Sequence, residues 1–318
     1  TPCASGSPAS SMDERRPSWR CAALVVALAL SGSLTGGAIA QELAGEPLAQ
    51  GVVWQPDALH KNPKGTWDRL GVSNLLVQWT AVDDAAFVPG AKPSAMVHAP
   101  DWPRIAAEPW ARNVIVGLAG AFDETWARAH VEELAERSRH LVAVRPPVNV
   151  EGWYFPVEVD PTWKDMARLK RALDRLPRPL WISVYDHSEL GAQQFADWVA
   201  RWLPADVGVF WQDGCGAFKR DPATARAYAN ALAGRFGTER VRVIAEAFRP
   251  KRRGGFRPAT AYELAPQLAH YQGLKVYLFD GPHYVSPTLV DGLLKHPLRN
   301  TPGLALDVPL KSGSGQDS

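Results

Sequence analysis

Two glutamates, Glu158 and Glu246, each close an apolar, aromatic-rich run: VEGWYFPVE (150–158) and VRVIAE (241–246). Two carboxylates brought to one cleft can divide the roles of acid and nucleophile, or acid and base, which is what cleavage of a glycosidic bond requires. Glu246 is the stronger candidate. Within VRVIAEAF a carboxylate is badly desolvated unless it faces a polar cleft; the structural alternative is a buried ion pair with Arg242 or Arg249. Glu158 follows Pro156, which can end a strand, so its alternative is a solvated loop acid. Asp213 lies in QDGCG, where Gly214 and Gly216 permit a tight turn. It reads as a substrate clamp, a third catalytic candidate, or a turn residue bonding its own backbone.

Other residues suited to sugars cluster at the ends of apolar runs: Trp54 and Gln55, Gln78 and Trp79, Trp153 and Tyr154, Tyr185, Trp211 and Gln212, and Asp280 with His283. Indoles can stack on the apolar C–H face of a pyranose, while amides and carboxylates can hold its hydroxyl rim. These residues are the expected substrate contacts, with core packing as the alternative for many of the 13 tryptophans. No HExxH, Cys/His cluster or GxSxG elbow occurs, so neither a cofactor nor a metal is expected. Asp186, His187 and His283 are the residues a metal-dependent polysaccharide deacetylase would use in its place. The basic run PKRRGGFR (250–257) follows Glu246 and reads as a recognition loop for carboxylates or phosphates, or as a solvated charge run.

The elements that position these residues repeat one pattern. Apolar runs at 51–56, 74–80, 113–120, 150–158, 179–187, 207–214, 241–248 and 274–281 alternate with amphipathic or loop stretches. Nearly continuous apolar runs suit parallel strands packed on both sides. Helices are expected at 123–139, 161–175, 190–203, 222–235 and 259–271, with shorter ones near 66–70 and 104–111. Asp160–Pro161 and Asp221–Pro222 read as N-caps followed by a proline at the first helical position. Eight strand–helix units without a glycine-rich phosphate turn predict an α/β fold, a single (β/α)8 TIM barrel, over a doubly wound sheet.

The barrel is expected to span 41–308, with a flexible polar tail at 309–318. Residues 1–40 read as a short upstream extension followed by a cleaved signal peptide: Met12, then arginines, AALVVALAL, and small residues before Gln41. The apolar run is short for a membrane span, so no stable membrane insertion is expected after cleavage. The expected location is periplasmic or secreted. Cleavage would leave Cys215 as the only cysteine, which excludes a disulfide scaffold. With 35 Lys+Arg against 33 Asp+Glu, the net charge of +2 gives no reason to expect nucleic acid as a partner. The expected partner is a carbohydrate polymer or oligosaccharide, and nothing in the sequence specifies an oligomeric state.

Over about residues 50–305, the chain resembles glycoside-hydrolase-type TIM barrels. GWYFPVE and QDGCG are similar to motifs of an uncharacterised, often exported bacterial family of such barrels. More distantly, the chain resembles the clan of retaining glycosidases with glutamates ending strands four and seven. That resemblance implies Glu158 as acid/base and Glu246 as nucleophile. The clan usually has asparagine before the strand-four glutamate; here Val157 stands there. The implied activity is hydrolysis of a polysaccharide or oligosaccharide. The alternatives are a non-catalytic polysaccharide-binding barrel accessory to exopolysaccharide secretion, or the metal-dependent deacetylase.

Overall fold

All eight apolar runs form parallel strands: β1 (Gly51–Trp54), β2 (Asn74–Val77), β3 (Asn113–Gly117), β4 (Val150–Val159), β5 (Leu180–Val184), β6 (Val207–Gln212), β7 (Val241–Glu246) and β8 (Val276–Phe279). The computed structural model describes residues 47–91, 96–97 and 99–300. The expected signal segment and C-terminal tail lie outside these residues. Each strand pairs with its sequence neighbours, and β8 returns to β1, closing a (β/α)8 barrel. Among the described residues, no helix is long and apolar enough to cross a membrane.

Strand side chains alternate between the two faces of a sheet, so one residue's direction fixes those two positions away. Val53, Leu76, Ile115, Tyr154, Trp181, Phe210, Ile244 and Tyr277, one from each strand, form the packed layer inside the barrel. Burying each such side chain contributes about 1.5–3 kcal/mol. Trp181 occupies space left by its neighbours: a Cβ added at Gly152 or Gly208 would lie 2.3 Å from its ring. The residues between, including Trp54, Trp153 and Trp211, belong to a second core between barrel and helices.

The helices start where short polar side chains can accept the free N–H groups of a first turn. Asp123, Asp165, Asp221 and Ser286 cap in this way, and Thr260 forms a capping box with Glu263. Two expectations need correction. Asp160 caps no helix; it accepts from the Thr162 N–H at 2.6 Å and pairs with Arg128 at 2.7 Å, and the helix starts later, at Met166. The single helix expected at 123–139 is two, Glu124–Ala129 and Val131–Ala143. At the break, His130 Nδ1 reaches the Trp126 carbonyl at 2.9 Å, so a side chain competes for a helical acceptor.

Two additions stand at the C-terminal end of the barrel. Strands 81–82, 85–86, 96–97 and 119–120 make a small sheet beyond β2 and β3. A hairpin of Phe248–Pro250 and Phe256–Pro258 follows β7 directly.

Candidate active site

One step beyond the inner apolar layer, the inward positions turn polar. Gln78, Glu158, Gln212 and Glu246 line an open cleft of about 490 Å3 at the C-terminal end of the strands. Its floor and walls include Tyr154, Ile244, Phe248 and Phe279. The site therefore draws on β2, β4, β6, β7 and β8, as catalytic sites of such barrels do.

Glu158 owes its aim to an irregularity in β4. Phe155 pairs with Ile182, and Val159 with Val184, so three β4 residues stand against one of β5. The extra length bends the strand and redirects a side chain. Pro156, which has no N–H to give a ladder, falls in this stretch. Gln212 Nε2 donates to Glu158 Oε1 at 3.0 Å. From behind, Arg128 donates to the Glu158 carbonyl, through Nε at 3.3 Å, and pairs with Asp160. Arg128 also contacts the Tyr185 hydroxyl, which itself donates to Glu124 at 2.7 Å.

Glu246 is held by the loop after β6. The Ala217 N–H donates to Glu246 Oε2 at 3.1 Å. Gly216 allows that approach, because a Cβ there would lie 2.6 Å from Glu246 Cβ. Burial raises the Glu246 carboxyl well above the ordinary carboxylate range, and the charge of Asp213 raises it further; the amides of Ala217 and Gly216 and the charge of Arg249 pull it back. Neither expected ion pair exists. Arg242 binds Glu151 at 2.8 Å, and Arg249 donates to the Glu246, Phe248 and Glu263 carbonyls and to Gln267. Among the described residues, neither Glu158 nor Glu246 is in a salt bridge.

Asp213 is neither clamp nor third catalytic group. It is fully buried, with Oδ1 accepting from the Cys215 and Glu246 N–H groups and Oδ2 from Gln267 and Tyr271 at 2.6 and 2.9 Å. It ties the loop to the end of β7. Its turn bond to Cys215 was the third of its expected roles.

The tryptophans expected to stack sugars do not line the cleft. Val53, Tyr154 and Phe210 face inward, so the neighbouring Trp54, Trp153 and Trp211 must face the helices. Trp211 stacks on Tyr228 with ring centroids 4.7 Å apart, and Trp54 donates to the His60 carbonyl. Trp79 is buried against Val82 and Phe87 and donates to the Pro56 carbonyl. Gln55 gives its N–H to Asp280, which is buried and also accepts from the His283 N–H. Asp186 is buried too, accepting from Tyr228 at 2.8 Å, and forms no cluster with His283. Of the expected contacts, Gln78, Tyr154 and Gln212 line the cleft.

Several cleft residues carried little sequence signal. Phe248 and Phe279 look like ordinary core positions. Gln78, expected from the sequence, lines the cleft too, and its Oε1 is buried without a partner among the described residues. Beyond Phe248, the hairpin tip carries the exposed Lys251, Arg252 and Arg253, and Phe218 stands exposed on the loop that binds Glu246.

No protein-family model matches the chain, and no curated protein sequence does. A solved structure from Bacteroides thetaiotaomicron, provisionally assigned as an α-L-fucosidase, is similar to it. Its TM-score is 0.55 at 16% identity, over 79% of this chain and 94% of that one. The fold the two share is a (β/α)8 TIM barrel. A weaker likeness, TM-score 0.41 at 13% identity, links 79% of this barrel with 98% of a GH128 endo-β-1,3-glucanase from Amycolatopsis mediterranei in complex with laminaritriose.

Proposed function

We propose that this barrel is an exported glycoside hydrolase acting on a polysaccharide or oligosaccharide with retention, Glu246 serving as nucleophile and Glu158 as acid/base. The observation that carries the reading is the convergence of these two carboxylates, from β4 and β7, on one cleft, each held by neutral donors.

In the proposed reaction the Glu246 carboxylate attacks the anomeric carbon as Glu158 gives its proton to the departing oxygen. Glu158, now ionised, takes a proton from water, which attacks the glycosyl–Glu246 ester and regenerates both groups. The Gly216 and Ala217 amides offset part of the burial and of the Asp213 charge that favour the protonated form of Glu246. Gln78 lines the same cleft, and Gln212 orients Glu158. Phe248 and Phe279 supply apolar surface for the sugar ring.

The test is product release by the full chain from a panel of neutral and uronic-acid polysaccharides and aryl glycosides, α-L-fucosides among them. Proton NMR of the first product reports its anomeric configuration. Retained configuration, with a 2-fluoro glycoside trapped on Glu246, is the expected result. Trapping on Glu158 would reverse the roles. Inverted product would remove the covalent step, and binding without release would favour the accessory barrel. Export rests on the N-terminal arginine, apolar and small-residue segments; fractionation of cells expressing the chain tests it, and retention in the cytoplasm would reject it.

A further inference from the structure

A second cluster of chemistry-bearing side chains stands where the barrel closes. β1 and β8 are joined through two register pairs, whereas the other strand pairs have four or five. Just beyond this short seam, the loop after β1 carries Asp57 and His60, and the helical turn Gly281–Tyr284 after β8 carries His283. Asp57 Oδ2 lies 2.9 Å from His60 Nδ1 and 3.1 Å from His283 Nε2. One donor atom from each residue lies within 4.8 Å of the others, and the two imidazole centroids are 3.9 Å apart.

We propose that Asp57, His60 and His283 bind a divalent transition metal of the zinc type, which clips the first strand's loop to the last strand's. Imidazole nitrogen and carboxylate oxygen suit such an ion, with bonds near 2.0–2.2 Å that set tetrahedral ligand separations at about 3.3 Å. The observed 2.9 and 3.1 Å contacts need to open by a few tenths of an ångström. A further feature separates the group from a chance surface cluster. His283 turns its other nitrogen, Nδ1, toward the buried Asp280, whose Oδ2 is 3.1 Å away. Asp280 is itself fixed by the N–H groups of Gln55 and His283. A carboxylate behind a histidine sets its ring orientation and tautomer, and metal-binding histidines regularly have one. The three side chains are a quarter to somewhat over a third exposed, which leaves a path for the ion and room for water as a fourth ligand.

The test uses the full chain, without an affinity tag that binds metal, stripped with a chelator and titrated with Zn2+ by calorimetry while metal content is measured. One equivalent should bind and raise the melting temperature. H60A and H283A should abolish that binding and the thermal shift, and D280N should weaken it by about 10–100-fold through misorientation of His283. E246Q should bind as the unaltered chain does. Affinity should fall toward acid pH, because the histidines must be neutral to coordinate. His60 lies on a half-exposed loop, so H60A keeps the test valid if H283A fails to fold. Absence of stoichiometric Zn2+, or binding that survives H60A, would overturn the site.

Discussion

The two ends of the barrel hold charge in opposite ways. At the N-terminal end, Arg242 is buried, pairs with Glu151 at 2.8 Å and lies 4.0 Å over the ring of Trp181. Phe210 and Tyr277 face the same guanidinium at 5.6 and 5.7 Å. There the charge of Glu151 and the aromatic faces together stabilise the buried guanidinium. At the C-terminal end, the carboxyl groups of Glu158 and Glu246 receive only amide N–H groups, with a cleft above them. Counter-charge makes an ionic group structural; withholding it keeps a carboxylate available for bond-making and proton transfer.

The sharpest break in this contrast is at the cleft. E246Q should lower kcat by roughly 10³-fold or more, and E158Q by roughly 10²–10⁴-fold, with a smaller loss on aryl glycosides whose leaving groups need no proton. Both proteins should keep their melting temperatures; a collapse of either fold would make that glutamate a structural residue. Next, D213N leaves donors of the buried network facing an amide and should cost about 2–4 kcal/mol of stability by denaturant unfolding. The same change tests the electrostatics. In the proposed reaction Glu246 must be ionised to attack, so its raised pKa should place the acid limb of the pH–rate profile above the usual carboxylate range. Removing the Asp213 charge should move that limb toward acid pH, and an unmoved limb would exclude Glu246 from it.

At the N-terminal end the sign of the experiment reverses. R242M leaves Glu151, one-third exposed, without its partner and should cost about 2–3 kcal/mol, with kcat unchanged. A loss of kcat at constant stability would show that the two ends are not separate. W211F removes an outward-facing ring and should cost about 1 kcal/mol without altering KM; a changed KM would return Trp211 to the substrate path. The smallest effect belongs to the hairpin tip. Reversing Arg252 and Arg253 to glutamate should change kcat/KM less than about tenfold, in a salt-dependent way, and only on anionic polysaccharides.

The eight strands were legible in the sequence because strands buried on both faces become apolar runs. Glu158 and Glu246 were legible as charges at the ends of such runs. Which aromatics face the cleft follows from strand parity rather than from their place at the end of a run. Once Glu246 points inward, so do Ile244 and Arg242, and the parallel register aligns Gln212 with Ile244. That parity selects Gln212 and sends Trp211 to the helices. Tyr154 and Trp153 divide in the same way. The buried role of Asp213 was less accessible, because Gln267 and Tyr271 come from a helix and the turn after it, more than fifty residues downstream. The group Asp57, His60 and His283 spans the whole barrel in sequence, and no local spacing announces it.

The fit of Trp181 between Gly152 and Gly208 has a consequence for how this sequence can vary. The indole's volume is shared by β4, β5 and β6, so the three positions behave as one. Alanine at 152 or 208 requires a smaller residue at 181, and a smaller residue at 181 alone leaves a void. Either change by itself is harmful, yet the pair can restore packing; a double-mutant cycle between 181 and 208 should therefore show strong non-additivity. Such a lock admits paired replacements and resists single steps, which makes the lower barrel slow to drift while the loops above it remain free to change.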